Sequence, residues 1–190
     1  VLESSINIIN TLISENHSRF GGGLYIGSSE AHINYSMISN NQSDSKGGGI
    51  WIGSESDLSI NKTLIEKNFA DGFGGGIFNS LSSIDINQST IVDNIVSLSV
   101  SGAGIYSDGG ETSIYNSIVY FNRKEGDLSI NNNLDGYSSF NFFEYNVEYS
   151  NIEGDEQWIP LGDGVFSANP QFDLNSYYLS EFSPCIDSGN

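Results

Sequence analysis

Four aromatic residues recur at one point of a repeated phrase: Tyr25, Trp51, Phe78 and Tyr106 directly follow Leu24, Ile50, Ile77 and Ile105 in GGGLY, GGGIW, GGGIF and GAGIY. If the aliphatics face inward, strand alternation turns the aromatics outward, and stacked repeats set them one above another. Such a column could lie against the sugar rings of an extended polysaccharide, because Tyr and Trp join a flat apolar face to a polar handle. Two other arrangements stay open. The column could be an exposed ladder that only stiffens a sheet, or the strand parity could be reversed and the rings buried, which would turn Asn79 and Ser107 outward.

Catalytic chemistry finds less to work with. A polysaccharide lyase needs a cation to neutralise a uronate and a base to take the α-proton, often with Ca²⁺ held by carboxylates. The basic residues are Arg19, Lys46, Lys62, Lys67, Arg123 and Lys124, and no arrangement of them joins an acidic cluster at a regular spacing. Arg123 and Lys124 beside Glu125 and Asp127 come nearest, and a solvated loop cluster is the preferred reading. A glycoside hydrolase needs paired carboxylates at set separations. With 24 acidic residues, pairs among Asp71, Asp93, Asp108 and Glu111 arise by accident. No catalytic residue is assigned. No metal ligand is assigned either; Ca²⁺ is weighed for the Asp-Gly loops FADGFGGG (69–76) and SDGGE (107–111), with plain β-turns preferred. His17 and His32 read as loop or strand-surface residues.

The elements that must position these residues come from a second phrase, Ile-x-x-Ser/Thr-x-Ile/Val-x-x-Asn. Its copies are Ile8, Thr11, Ile13, Asn16; Ile33, Ser36, Ile38, Asn41; Ile60, Thr63, Ile65, Asn68; Ile86, Ser89, Ile91, Asn94; and Ile114, Ser117, Val119, Asn122, with a looser Val147, Ser150, Ile152, Asp155. The intervals of 25, 27, 26, 28 and 33 residues mark a rigid unit joined by variable loops. Self-similarity at this period, in Ile, Ser, Thr, Asn, Tyr and Gly, predicts a β-solenoid and excludes helical repeats. Each unit predicts three short strands: the alternating pair such as Leu58 and Ile60, the stretch with Thr63 and Ile65, and the Gly-rich phrase. The fold class is all-β, a right-handed parallel β-helix of about seven coils with three short strands per coil. Asn16, Asn41, Asn68, Asn94 and Asn122 then form a corner column whose amides bond neighbouring coils and turn backbone. Five Asn-x-Ser/Thr sequons, at Asn16, Asn34, Asn41, Asn61 and Asn87, follow from this turn chemistry and make only a weak case for glycosylation.

The organisation expected is one domain over 1–190, with an insertion between coils at 123–146 and a C-terminal closing segment at 156–190. In the insertion, residues 127–130 can stand in for the Gly-rich strand, and NNNLDGYSSFNFFEYN is a candidate functional loop or a local cap. The pattern is already running at Val1, so the expectation is a fragment with further polypeptide N-terminal to it. A net charge of −18 argues against nucleic acid and anionic membranes and leaves cations or neutral ligands. The lone Cys185 excludes a disulfide framework.

The two interleaved phrases resemble the repeat of chlamydial polymorphic outer membrane proteins and of bacterial secreted right-handed β-helix proteins. The stretch from Ala168 to Asn190 is similar to the closing segment of many such proteins, through Asn169, Pro170, Phe172, Tyr177, Leu179, Ser183, Pro184, Cys185, Ile186, Asp187 and Gly189. The resemblance implies a secreted or cell-surface bacterial location. Because the fold hosts adhesins, lyases and hydrolases alike, it does not itself assign an activity. The reading is a non-enzymatic, adhesin-like surface module that presents Tyr25, Trp51, Phe78 and Tyr106 to a polysaccharide or cell-surface glycan, without nucleic acid or membrane insertion. The alternatives are a carbohydrate-active enzyme and an inert structural spacer.

Overall fold

The computed structural model describes residues 4–53, 55–97, 99–126, 132–137, 143–154, 162–173 and 176–186. The chain winds as a parallel β-solenoid in which every named strand pairs in parallel with its counterpart one repeat away. Three sheets run its length. The long sheet holds Ser4–Ile9, Ser29–Asn34 and Asp57–Asn61 in one column and Leu24–Gly27, Ile50–Gly53 and Leu134–Gly136 in a second. The 11-residue strands Ile77–Asn87 and Ile105–Tyr115 run through both columns and join them. The middle sheet stacks Leu12–Ser14, Met37–Ser39, Leu64–Glu66, Thr90–Val92, Ile118–Tyr120 and Asn151–Ile152. The short sheet stacks His17–Phe20, Gln42–Lys46, Phe69–Ala70, Ile95–Val96 and Arg123–Lys124.

These elements follow from the phrases, with one relocation. Strand alternation turns Ile33, Ile60, Ile86 and Ile114, and Ile38, Ile65, Ile91 and Val119, into a single fully buried core. The third sheet, however, is built from the stretch after each Asn, while the Gly-rich phrase leads into the long sheet. Strands of two to five residues such as Phe69–Ala70 and Gln42–Lys46 carry no alternation long enough to recognise.

The Asn column forms as a hydrogen-bonded ladder. Asn68 Oδ1 accepts from the backbone N–H and side-chain amide of Asn41 at 3.0 and 2.9 Å, and Asn68 Nδ2 donates to Ile38 O and Asn94 Oδ1, each at 2.9 Å. Equivalent bonds link Asn16 to Asn41 and Asn94 to Asn122. The rung after Asn122 is supplied by Asn133, only 11 residues on, whose Oδ1 accepts from Asn122 Nδ2 at 2.7 Å.

The two phrases interlock at this ladder. A Cβ on Gly49 would meet Asn68 Nδ2 at 3.1 Å, and one on Gly48 would collide with the carbonyls of Gly75 and Phe69 in the next coil. Gly47, at φ +69°, supplies the left-handed turn that enters this close approach.

The solenoid makes about five turns, fewer than the seven expected. Beyond Asn151–Ile152 the closing segment adds only the isolated bridges Asn151↔Phe166 and Phe172↔Leu179. Instead of winding on, it folds back over the outer face of the middle sheet, where Tyr177 Oη donates to Asp93 Oδ2 at 2.7 Å across 84 residues. Within the insertion, Leu134–Gly136 pairs with Ile105–Ser107 and takes the place of the Gly-rich strand. The stretch 127–130 expected for that role, and residues 138–142, lie outside the described residues.

Candidate functional site: the aromatic column

The register of the long sheet places Tyr25 beside Trp51, Trp51 beside Phe78, and Phe78 beside Tyr106. Their parity is set by the neighbours. Ile50, Ile77 and Ile105 are fully buried in the core, as is Ile52 two residues further along, so the four aromatics project to the outside. Asn79 and Ser107 occupy the Ile52 position in later coils and do face inward. They are paired there: Asn79 Nδ2 donates to Ser82 O at 3.0 Å and Thr112 Oγ1 at 3.2 Å, and Ser107 Oγ lies 3.1 Å from the same Thr112 hydroxyl. A polar pocket inside the solenoid thus satisfies the residues that had left the parity open.

One column contains two environments. Tyr25 is 60% exposed and Trp51 is half-buried, and their rings are parallel to within 6° with centroids 4.3 Å apart. Parallel rings that close must overlap face to face. Each leans along its strand over the glycine two residues on: a Cβ at Gly53 would collide with the Trp51 ring, and one at Gly27 would meet Tyr25 Cε1 at 3.3 Å. Phe78 and Tyr106 are also parallel, with centroids 5.6 Å apart, yet both are buried. Their cover comes from another part of the coil. Phe73 packs on Tyr106 at 4.4 Å, and Lys46 Nζ lies 4.4 Å from the Phe78 centroid and 3.9 Å from Asp108. Burial first, and the nearby carboxylates of Asp135 and Asp108 second, push the Tyr106 hydroxyl up to about 12.

The open part of the column therefore offers the outer edges of two stacked rings, each standing edge-on over a glycine of a rigid sheet. The stacking turns the facing surfaces of Tyr25 and Trp51 toward each other, so a ligand meets ring edges and polar tips. This suits extended contact along the coil axis, where repeats about 4.8 Å apart place successive groups in register.

The remaining candidates are scattered. Arg123 is held by Asp93 at 3.8 Å and donates from Nε to Phe121 O at 3.0 Å, away from the aromatic column. Asp71 accepts from Ser97 Oγ at 3.3 Å, and Asp108 faces Lys46. Among the described residues no three His, Cys, Asp or Glu side chains gather as a metal-binding group. His17 Nε2 lies 2.5 Å from Asp44 Oδ1, and His32 lies 3.2 Å from Glu30, both at the surface.

Another feature had no visible signal in the motifs. The residue before each Ser or Thr of the Ile phrase, namely Asn10, Tyr35, Lys62, Gln88, Asn116 and Tyr149, adopts a left-handed conformation with φ between 47° and 51°. These positions project from one corner of the middle sheet. Their variation in type, against the constancy of the Ser or Thr beside them, is the only mark the sequence carries.

Compared with known proteins, the chain matches no curated protein and no solved structure. One family match falls on residues 36–53, which run from the Ser of one phrase through Asn41 and the triple glycine to Trp51 and Gly53, about two thirds of one coil. That stretch matches the Chlamydia polymorphic membrane protein (Chlamydia_PMP) repeat, and the parallel β-solenoid fits a stack of repeats of that kind.

Proposed function

We propose that this chain is a non-enzymatic, surface-exposed solenoid module, adhesin-like, that holds glycans along its outward aromatic column. The observation that carries the reading is the Tyr25–Trp51 pair, open to solvent, stacked at 4.3 Å and seated on Gly27 and Gly53 of a rigid sheet. An exposed, pre-ordered pair of amphipathic rings is the kind of surface that gains affinity by losing little entropy on binding. Phe78 and Tyr106 continue the column beneath Lys46 and Phe73 and brace it from the C-terminal side. The match at residues 36–53 to a repeat of bacterial membrane proteins supports a location at a cell surface.

The test is retention on a glycan array by the wild type, Tyr25→Ala and Trp51→Ala, with circular dichroism confirming the solenoid in each. Removing either ring should weaken retention by about tenfold, as expected for loss of one aromatic contact of about 1 to 1.5 kcal/mol. Equal retention by all three proteins, or none by the wild type, would leave the column as a stacking device. A specific observation favours that second reading: half of the column is already buried, which a spacer would need and a binding strip would not.

A further inference from the structure

The outer face of the middle sheet is a trough. Its floor is the outward column Leu12, Met37 and Leu64, continued by Thr90 and Ile118. Its walls are two series of left-handed corner residues that bracket each three-residue strand, with Tyr35 and Lys62 on one side (φ 51° and 47°) and Lys67 and Asp93 on the other (φ 51° and 53°). Over the later coils the returning tail fills this trough, with Leu179 and Cys185 facing Thr90 and Ile118 across a small hollow. Over the earlier coils the trough stays open as a groove of about 900 Å³, and the tail residues Tyr177 and Tyr178 form its end wall.

Charge inside the groove is unlike that of the rest of the chain. Two of the six basic residues, Lys62 and Lys67, line it in a protein of net charge −18. Lys67 is neutralised, since Nζ lies 3.4 Å from the buried carboxylate of Glu66 and 5.3 Å from the centre of the Tyr177 ring. Lys62 is different. It donates to Tyr35 Oη at 3.3 Å and lies 5.2 Å from that ring's centre, and among the described residues no carboxylate comes within ion-pairing distance of it. Two well-exposed rings line the same groove, Tyr35 at 57% beside Lys62 and Tyr178 at 80% in the end wall. A concave apolar floor, two open phenol rings and one uncompensated ammonium together specify a ligand with apolar faces, hydroxyl groups and a carboxylate placed to meet Lys62.

We propose that the open half of this trough is a saccharide site selective for sugars that carry a carboxylate, with Lys62 binding the carboxylate and Tyr35 and Tyr178 supplying ring surface. The chain's overall negative field slows approach of such a ligand more than it weakens the bound contact, because charges beyond about 8 Å are screened at physiological ionic strength. The groove lies on a different sheet from the aromatic column, so the two sites stand or fall separately.

The experiment is calorimetric titration of the full chain with trigalacturonate and with its uncharged methyl ester. The acid should bind at least about fivefold more tightly than the ester, as a charge-assisted contact requires, and more weakly as salt is raised. Lys62→Gln should abolish that preference, and Lys62→Arg should keep it. Lys124→Gln, which makes the same change in net charge on the short sheet, should leave it intact. Three results would overturn the proposal: no binding of trigalacturonate, equal binding of acid and ester, or a loss with Lys124→Gln as large as with Lys62→Gln. Sedimentation without sugar closes the remaining route. A change in oligomeric state on Lys62→Gln would show that a second copy of the chain occupies the groove, and would also sink the proposal.

Discussion

At the scale of single residues, the Asn ladder shows how one side chain can govern a coil. Asn68 is fully buried and satisfies four groups at once: the Asn41 N–H, the Asn41 amide, Ile38 O and Asn94 Oδ1. Replacing it with Ala strands buried donors and acceptors, each costing about 1 to 3 kcal/mol, so Asn68→Ala should destabilise the chain by about 4 kcal/mol in urea denaturation. Asn16 makes similar bonds to Ser14 O and Asn41 Oδ1 but is exposed, and water can replace them. Asn16→Ala should therefore cost less than about 1 kcal/mol. Equal effects would mean that the ladder is not what holds the coils at this corner. The ladder was legible because each Asn holds the same place in its phrase, eight residues after the leading Ile. The end of the ladder was not, because Asn133 enters from the insertion rather than at the repeat interval.

At the scale of elements, the Gly-rich turn couples adjacent coils through backbone contact. Gly48→Ala would drive a methyl group into the carbonyls of Gly75, which accepts the Gly49 N–H, and Phe69, which lies in a strand, so neither can move without losing coil-to-coil bonding. A loss of at least about 3 kcal/mol is expected by thermal denaturation, at the upper end of single-substitution effects. The fourth repeat already carries Ala103 at this position, buried in a small cluster with Ala70 and Val96. The coil next to it is supplied by the insertion, where Asn132 O and Asn133 O accept from the Gly104 and Ile105 N–H groups and Asn133 O closes on Gly104, while Ala103 itself turns into the small apolar cluster. Ala103→Gly should accordingly cost only about 1 kcal/mol. The aromatic column illustrates the same division between what sequence shows and what it does not. Its register follows from the repeated phrase, but its parity stayed open until the buried Ile50, Ile77 and Ile105 turned the rings outward, and the burial of Phe78 and Tyr106 depends on Phe73 and Lys46, which arrive from elsewhere in the coil and bear no fixed relation to the phrase. The third strand was misplaced for a related reason, since strands such as Ile95–Val96 are too short to show a period.

At the scale of the whole molecule, the solenoid is an array in which each coil is stabilised by its neighbours and the last turns are bound by the returning tail. Three tyrosines at the C-terminal half give this arrangement a pH signature. Burial pushes the Tyr106 hydroxyl up to about 12, and raises Tyr145, which donates to Asp135 O at 2.8 Å, and Tyr177, which donates to Asp93, further still. The folded chain keeps these protons where the unfolded chain, with tyrosines near 10, releases them. Their contribution to stability is complete below about pH 10 and is lost as pH rises from there through the folded-state values. The urea midpoint should fall progressively above about pH 10, and a midpoint unchanged to pH 11.5 would show that the tail and the polar interior do not discriminate between phenol and phenolate. The negative charge of −18 adds a second dependence, since moderate salt screens self-repulsion and should raise the midpoint at neutral pH.

The most direct test of the account is the fluorescence of Trp51, read in a Trp158→Phe background so that one indole reports. The oligosaccharide best retained on the array is titrated into the protein. Contact along the column predicts a saturable change in Trp51 emission that disappears in Tyr25→Ala. Saturable binding by calorimetry with no change at Trp51 would place the glycan elsewhere on the solenoid and contradict the role given to the column.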